Sequence, residues 1–236
     1  MAFAFRQFII DDSRCAMKVG TDGVLLGAWA QAAGSDRSVL DLGAGSGLLS
    51  LMLAQRYGHI GVTAVEIEPE ACADCRCNFD ASPWRRRLTA VCGDALEYRS
   101  CQAPDLIVSN PPFFIEAQQS PDERRARARH ADSLSPEAVV RYAADALSAE
   151  GSVALIFPTT LADTIIFTGE MLHLKERRRL DVCMRQGRPP ERTLLQLARV
   201  DGAPERSVIS VRDLTGAFTD DYRRLVEPFY LRMPQS

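Results

Sequence analysis

Asn110-Pro111-Pro112-Phe113 is the stretch of this sequence whose residue types select a chemistry. An amino group on an aromatic ring is planar and a poor nucleophile, because its lone pair is delocalised into the ring. An asparagine side-chain carbonyl and a neighbouring proline backbone carbonyl can accept its two hydrogens, localise the lone pair and aim it. Two prolines stiffen such a loop, and neither brings an N–H to compete for the acceptors. Phe113 adds a face on which a base can stack, worth about 1–3 kcal/mol in nucleic-acid binders. The bland alternative is a proline-rich turn with a buried phenylalanine.

Three further motifs lie upstream, each directly after an apolar strand-like run. Asp41-Leu42-Gly43-Ala44-Gly45-Ser46-Gly47 follows Ser38–Leu42 and precedes a helical segment. Gly43, Gly45 and Gly47 let a backbone turn sharply against a ligand. Their spacing is not that of a dinucleotide fingerprint, whose third glycine would fall at residue 48, a leucine. Asp41 suits a cofactor with a cationic amino-acid tail, which describes S-adenosylmethionine. Glu66 closes the next run and can accept both ribose hydroxyls. Gly93-Asp94 follows the third run, where Asp94 would meet the adenine edge of the cofactor. Each motif alone has a structural reading, a turn or a helix cap. Their succession at ordered strand ends points to a cofactor site that Asn110 also borders.

The elements needed to hold these motifs are legible. Strands are expected at 38–42, 61–67, 88–92, 105–109 and 151–157, and helices at 48–56, 69–79 and 136–147. That alternation predicts an α/β fold, a doubly wound and mostly parallel sheet of the Rossmann-like type. Apolar runs at 180–184 and 193–200 flank Gly187-Arg188-Pro189-Pro190 with no room for a helix, so an antiparallel C-terminal hairpin is expected on the sheet edge. A further strand at 207–212 and an amphipathic segment at 220–233 close the chain. Before the first sheet strand, β-like runs at 3–10 and 15–19 surround a polar turn, and Thr21-Asp22 reads as the cap of a helix over 23–31. Residues 1–34 thus form a hairpin and helix extension packed on the cofactor side of the domain at 35–236.

Composition narrows the setting. The 236 residues carry a net charge of −3, so any nucleic-acid binding must come from local patches. Arg124, Arg125, Arg127 and Arg129 follow the Asn-Pro-Pro loop and can hold phosphates, against the alternative of a solvated loop. Arg85-Arg86-Arg87 and Arg177-Arg178-Arg179 are weaker candidates for the same role and read more as plain surface. Lys18, one of two lysines, lies in a stretch expected to fold over the cofactor pocket, facing a cofactor carboxylate or an RNA phosphate, or simply solvent. Seven scattered cysteines without a secretory leader read as free thiols in a reducing cytoplasm. Cys72, Cys75 and Cys77 lack a fourth ligand, so helix packing is expected there and no metal. No apolar run is long enough for a membrane span.

With these motifs in view, the chain resembles the Rossmann-like class I methyltransferases carrying an Asn-Pro-Pro-aromatic motif. It resembles most closely the bacterial tRNA(Val) adenine-N6 methyltransferases. The most specific part is Phe5-Arg6-Gln7-Phe8 together with the block from Arg14 through Lys18-Val19-Gly20-Thr21-Asp22-Gly23 to Trp29. The likeness continues through Asp41–Gly47, Ser82-Pro83-Trp84 and Asn110–Phe113 to Phe229-Tyr230-Leu231. It implies methyl transfer from S-adenosylmethionine to N6 of an adenine in RNA, with adenine 37 beside the tRNA(Val) anticodon favoured and the anticodon stem-loop as partner. Phe113 stands where those enzymes carry tyrosine, and phenylalanine also occurs in related ribosomal RNA enzymes. A ribosomal RNA base therefore stays as an alternative target, and so does a protein glutamine side chain, because the Asn-Pro-Pro-aromatic motif also serves a planar amide nitrogen.

Overall fold

The structure, a computed structural model, describes residues 2–112 and 134–231. Its chain order is β1 (Ala2–Ala4), β2 (Ile9–Asp11), α1 (Thr21–Trp29), β3 (Ser38–Leu42), α2 (Leu48–Arg56), β4 (Gly61–Glu66), α3 (Pro69–Ala81) and β5 (Leu88–Cys92). There follow β6 (Leu106–Ser109), α4 (Pro136–Ala146), β7 (Ser152–Pro158), α5 (Ala162–Met171), β8 (Lys175–Arg185), β9 (Arg192–Ala198), β10 (Glu205–Arg212) and α6 (Asp220–Val226).

Eight strands form one sheet in the order β10-β8-β9-β7-β6-β3-β4-β5. From β5 to β7 all neighbours are parallel, and β9 runs antiparallel to both β7 and β8. Strands covered on both faces need apolar side chains at successive positions, and β6 supplies them. Leu106 and Val108 enter the core formed with α1, α2, α3 and α6, whereas Ile107 enters the opposite core with α4 and α5. Helices α1 and α2 pack so closely that a Cβ on Gly27 would lie 2.6 Å from Met52 Sδ. Local chemistry fixes the helix starts. Pro69 and Pro136 occupy first-turn positions, and Ser135 accepts a hydrogen bond from Ala138 N–H at 3.1 Å.

Several expectations need correction. The N-terminal hairpin is β1 with β2, both within the first apolar run, and residues 15–19 are a loop. Thr21 and Asp22 belong to α1 itself, which Gly20 precedes; Asp22 pairs with Arg192 at 2.9 Å. The antiparallel hairpin β8–β9 exists, but it is not the sheet edge. Helix α5, absent from the sequence reading, carries the chain far enough out for β9 to insert between β7 and β8, and β10 becomes the edge.

Parts of both arginine triplets turn inward, while Arg85 and Arg86 are exposed. Arg87 donates to the carbonyls of Ala54, Tyr57 and Ile60 at 2.9, 3.0 and 2.6 Å. Arg178 stacks on Trp29 at 4.6 Å and donates to its carbonyl, and Arg179 pairs with Asp181 at 3.0 Å.

Candidate active site

Sheet register brings the four motifs to one edge. Asp41 on β3 lies level with Ala64 of β4 and Val108 of β6, and Glu66 lies level with Cys92 of β5. The residues that follow, Gly43, Asn110 and Gly93-Asp94, therefore emerge together at the carboxyl ends, where ligands bind in open α/β sheets.

The glycine loop is held from below. Glu66 Oε2 accepts Gly45 N–H at 2.7 Å, its Oε1 accepts Glu68 N–H at 2.9 Å, and Val65 O accepts the N–H groups of Gly43 and Ala44. Gly47 adopts φ +86°, and a Cβ there would sit 2.6 Å from the Phe79 ring. Among the described residues nothing lies within 4 Å of a Cβ added to Gly45 or Gly93, so the backbone there is open to a ligand's approach.

Asp41 is fully buried, and its Oδ2 accepts Ser50 N–H and Oγ–H at 3.1 and 2.7 Å. This ties the strand end to the first turn of α2. Its Oδ1 is buried without a partner among the described residues. Burial foremost, with the Glu66 charge adding to it against the Ser50 hydrogen bonds, pushes the Asp41 carboxyl up to about 7. An approaching cationic amine would supply the missing donor and favour the charged form, so these residues fit a cofactor with a positive tail. Asp94 Oδ1 accepts Leu96 N–H at 2.8 Å, closing the turn after β5.

Asn110 follows β6, whose last residue, Ser109, donates to Leu42 O at 2.8 Å. Its Oδ1 is also buried without a partner among the described residues, and Nδ2 donates to Met17 Sδ at 3.8 Å. Pro111 is buried and Pro112 half-buried. Phe113, Arg124, Arg125, Arg127 and Arg129 lie outside the described residues.

A methyltransferase small domain model matches residues 17–162. A protein of Bacteroides thetaiotaomicron named tRNA1(Val) (adenine(37)-N6)-methyltransferase is 38% identical, with 98% of each chain covered. A protein of the same name from Aeromonas salmonicida is 42% identical, again with 98% of each chain covered. This chain belongs to the tRNA1(Val) (adenine(37)-N6)-methyltransferase family. Solved structures share the fold at lower identity. A predicted O-methyltransferase of Agrobacterium tumefaciens superposes with TM-score 0.65 at 18% identity, over 88% of this chain and 96% of its own. TYW2 of Pyrococcus horikoshii, solved in complex with MeSAdo, gives 0.56 at 17%, over 81% and 67%.

In this family member the N-terminal segment is part of the site's construction. Asn78 on α3 donates through Nδ2 to Asp11 O and Ser46 O at 2.8 and 2.9 Å, joining that segment to the glycine loop. Asp74, one turn earlier, binds Arg14 at 2.6 Å. Lys18 Nζ donates to the carbonyls of Asp12 and Ser13 at 2.6 and 3.1 Å, so it closes its own loop and keeps a third hydrogen for another acceptor. Sequence reasoning missed Ser50, Asp74, Asn78 and Met17. The i, i+4 spacing of Asp74 and Asn78 on one face of α3 was the available signal. Cys72 and Cys75 are buried in the packing of α3, with Cys75 against Gly47. Among the described residues no three His, Cys, Asp or Glu side chains gather to hold a metal, and no helix is long and apolar enough to cross a membrane.

Proposed function

We propose that this chain methylates N6 of adenine 37 in tRNA1(Val), working in the cytoplasm on the anticodon stem-loop, with S-adenosylmethionine as methyl donor. The observation that carries the reading is the Oδ1 of Asn110, buried and without a partner among the described residues, at the strand end next to the glycine loop. A buried acceptor without a donor costs free energy in the resting protein and is matched when an amino hydrogen arrives.

When bound, S-adenosylmethionine supplies an electrophilic methyl group, to which N6 forms a bond as the carbon–sulfur bond breaks. Asn110 and a proline carbonyl accept the N6 hydrogens and hold the lone pair toward that carbon. Pro111 and Pro112 keep the acceptors fixed, and Phe113 stacks on the base. After transfer, the surplus N6 proton leaves to water. Glu66 holds the ribose with the lone pairs its backbone donors leave free. Asp41 meets the amine of the amino-acid tail, Lys18 its carboxylate, and Asp94 the adenine edge. Gly43, Gly45 and Gly47 leave room for the donor, and Arg124, Arg125, Arg127 and Arg129 take RNA phosphates.

The test is incubation with labelled cofactor and unmodified tRNA, ribosomal RNA or release factors in parallel. Label should enter tRNA1(Val) at adenine 37 and disappear when that base is replaced by guanine. Incorporation confined to ribosomal RNA or to release factors would overturn the reading.

A further inference from the structure

We infer that Met17 is a positioning residue, whose sulfur holds the Asn110 amide in the orientation that presents Oδ1 to the adenine amino group. A side-chain amide is nearly symmetric in shape, so its partners decide which way round it sits. Here Nδ2 donates to Met17 Sδ at 3.8 Å, and Oδ1 occupies the buried position without a partner among the described residues. A thioether offers lone pairs and no hydrogen. In the reversed orientation Oδ1 would face the sulfur, lone pair against lone pair. The buried position would then hold an NH2 group, which cannot accept a hydrogen from adenine.

Met17 is 54% exposed, so its own burial does not place it. The surrounding loop does. Asp12 accepts Val19 N–H at 2.8 Å through its carboxylate, and its carbonyl accepts Cys15 N–H at 3.1 Å and Lys18 Nζ at 2.6 Å. Arg14 is fastened to Asp74 through its backbone N–H at 2.8 Å and its Nε at 2.6 Å. The backbone is thus fixed on both sides of Met17, and the sulfur is delivered to Asn110 by a braced loop anchored on α3.

This inference rests on Asn110 accepting an amino hydrogen from the substrate. Met17→Leu keeps the volume and removes the acceptor, whereas Met17→Gln restores an acceptor at similar reach. In single-turnover methylation of an unmodified tRNA1(Val) transcript, Met17→Leu should slow transfer about 3- to 10-fold, the scale of one modest hydrogen bond. Cofactor affinity, tRNA affinity and thermal midpoint should not move, and Met17→Gln should recover most of the rate. In an Asn110→Ala background, Met17→Leu should add no further loss, because no amide remains to orient. A wild-type rate in Met17→Leu would overturn the inference. So would a deficit seen only in tRNA affinity, a Met17→Gln variant as slow as Met17→Leu, or an undiminished Met17→Leu deficit beside Asn110→Ala. A wild-type rate in Asn110→Ala alone would instead remove the amino-nitrogen reading on which it stands.

Discussion

Among the described residues, Asp41 and Asn110 each keep a buried oxygen without a donor, and we propose different steps for them. As proposed, Asn110 acts on the amino group as it loses planarity, which places its contribution in the transition state more than in binding. Asn110→Ala should lower single-turnover methylation by about 10²–10³, the scale of removing one oxyanion-hole donor, while cofactor affinity stays constant. Rapid-quench kinetics alongside calorimetry would check both halves. Asp41 is proposed to act on the cofactor. Its folded-state carboxyl is raised to about 7 from an ordinary 3.8, so the folded protein keeps a proton that the unfolded chain has already lost between those values. The stability this provides is full below about 4 and lost as pH rises through 7. A bound cation reverses the preference and expels the proton. Cofactor affinity should therefore climb by up to about tenfold per unit below pH 7 and level off above it. Calorimetry in buffers of different ionisation enthalpy should register the proton released at pH 6. The same pH dependence in Asp41→Asn would rule Asp41 out as its source.

At the scale of elements, arginines close the C-terminal ends of the two helices that flank β3. Helix α2 ends with backbone carbonyls that have no partner within the helix, and Arg87 spans those of Ala54 and Tyr57 together with Ile60 in the loop beyond. Arg56 does the same for α1 at Gly27 and Ala30, at 2.9 and 2.5 Å. Cations at helix C-termini also meet the negative end of the macrodipole. Arg87→Ala should cost about 1–3 kcal/mol, since several half-buried acceptors lose one shared donor. Arg85→Ala and Arg86→Ala, at exposed positions, should each change stability by less than about 0.5 kcal/mol. Urea denaturation of the three variants separates them, and equal losses would contradict the capping role. The triplet shows how far sequence reasoning reached here. Three adjacent arginines look alike in one dimension, and only the direction of each side chain in the fold tells a cap from surface.

For the whole molecule, the net charge of −3 makes RNA capture a local affair. Several arginines turn inward, onto carbonyls in Arg56, Arg87 and Arg178 and onto carboxylates in Arg179 and Arg192. The cluster Arg124, Arg125, Arg127 and Arg129 is the phosphate-binding element we propose. Each arginine removed from it should flatten the log–log dependence of RNA affinity on salt by roughly 0.7. Fluorescence titrations of an anticodon stem-loop between 50 and 200 mM salt, roughly the range over which phosphate contacts are resolved, provide the slope. A quadruple variant with the wild-type slope would leave these arginines as a solvated loop.

By itself the sequence determined the parallel half of the sheet, the order of the cofactor motifs along it and the Asn-Pro-Pro loop. Those features are local: apolar runs of strand length, glycines where the backbone must turn, and prolines that stiffen whatever they join. Asp41 and Glu66 were picked out as candidates because acidic residues at a strand's carboxyl end lie where ligands bind in open α/β sheets. The tertiary structure alone decided which residues brace the candidate site. Ser50, Asp74, Asn78 and Met17 matter through partners 9, 60, 67 and 93 positions away. The i, i+4 spacing of Asp74 and Asn78 marks a shared face but not its partners, because such contacts arise only when α2 and α3 pack against the sheet and the N-terminal loop folds over its edge. The same reason explains β9, whose place between β7 and β8 depends on how far α5 carries the chain before it returns.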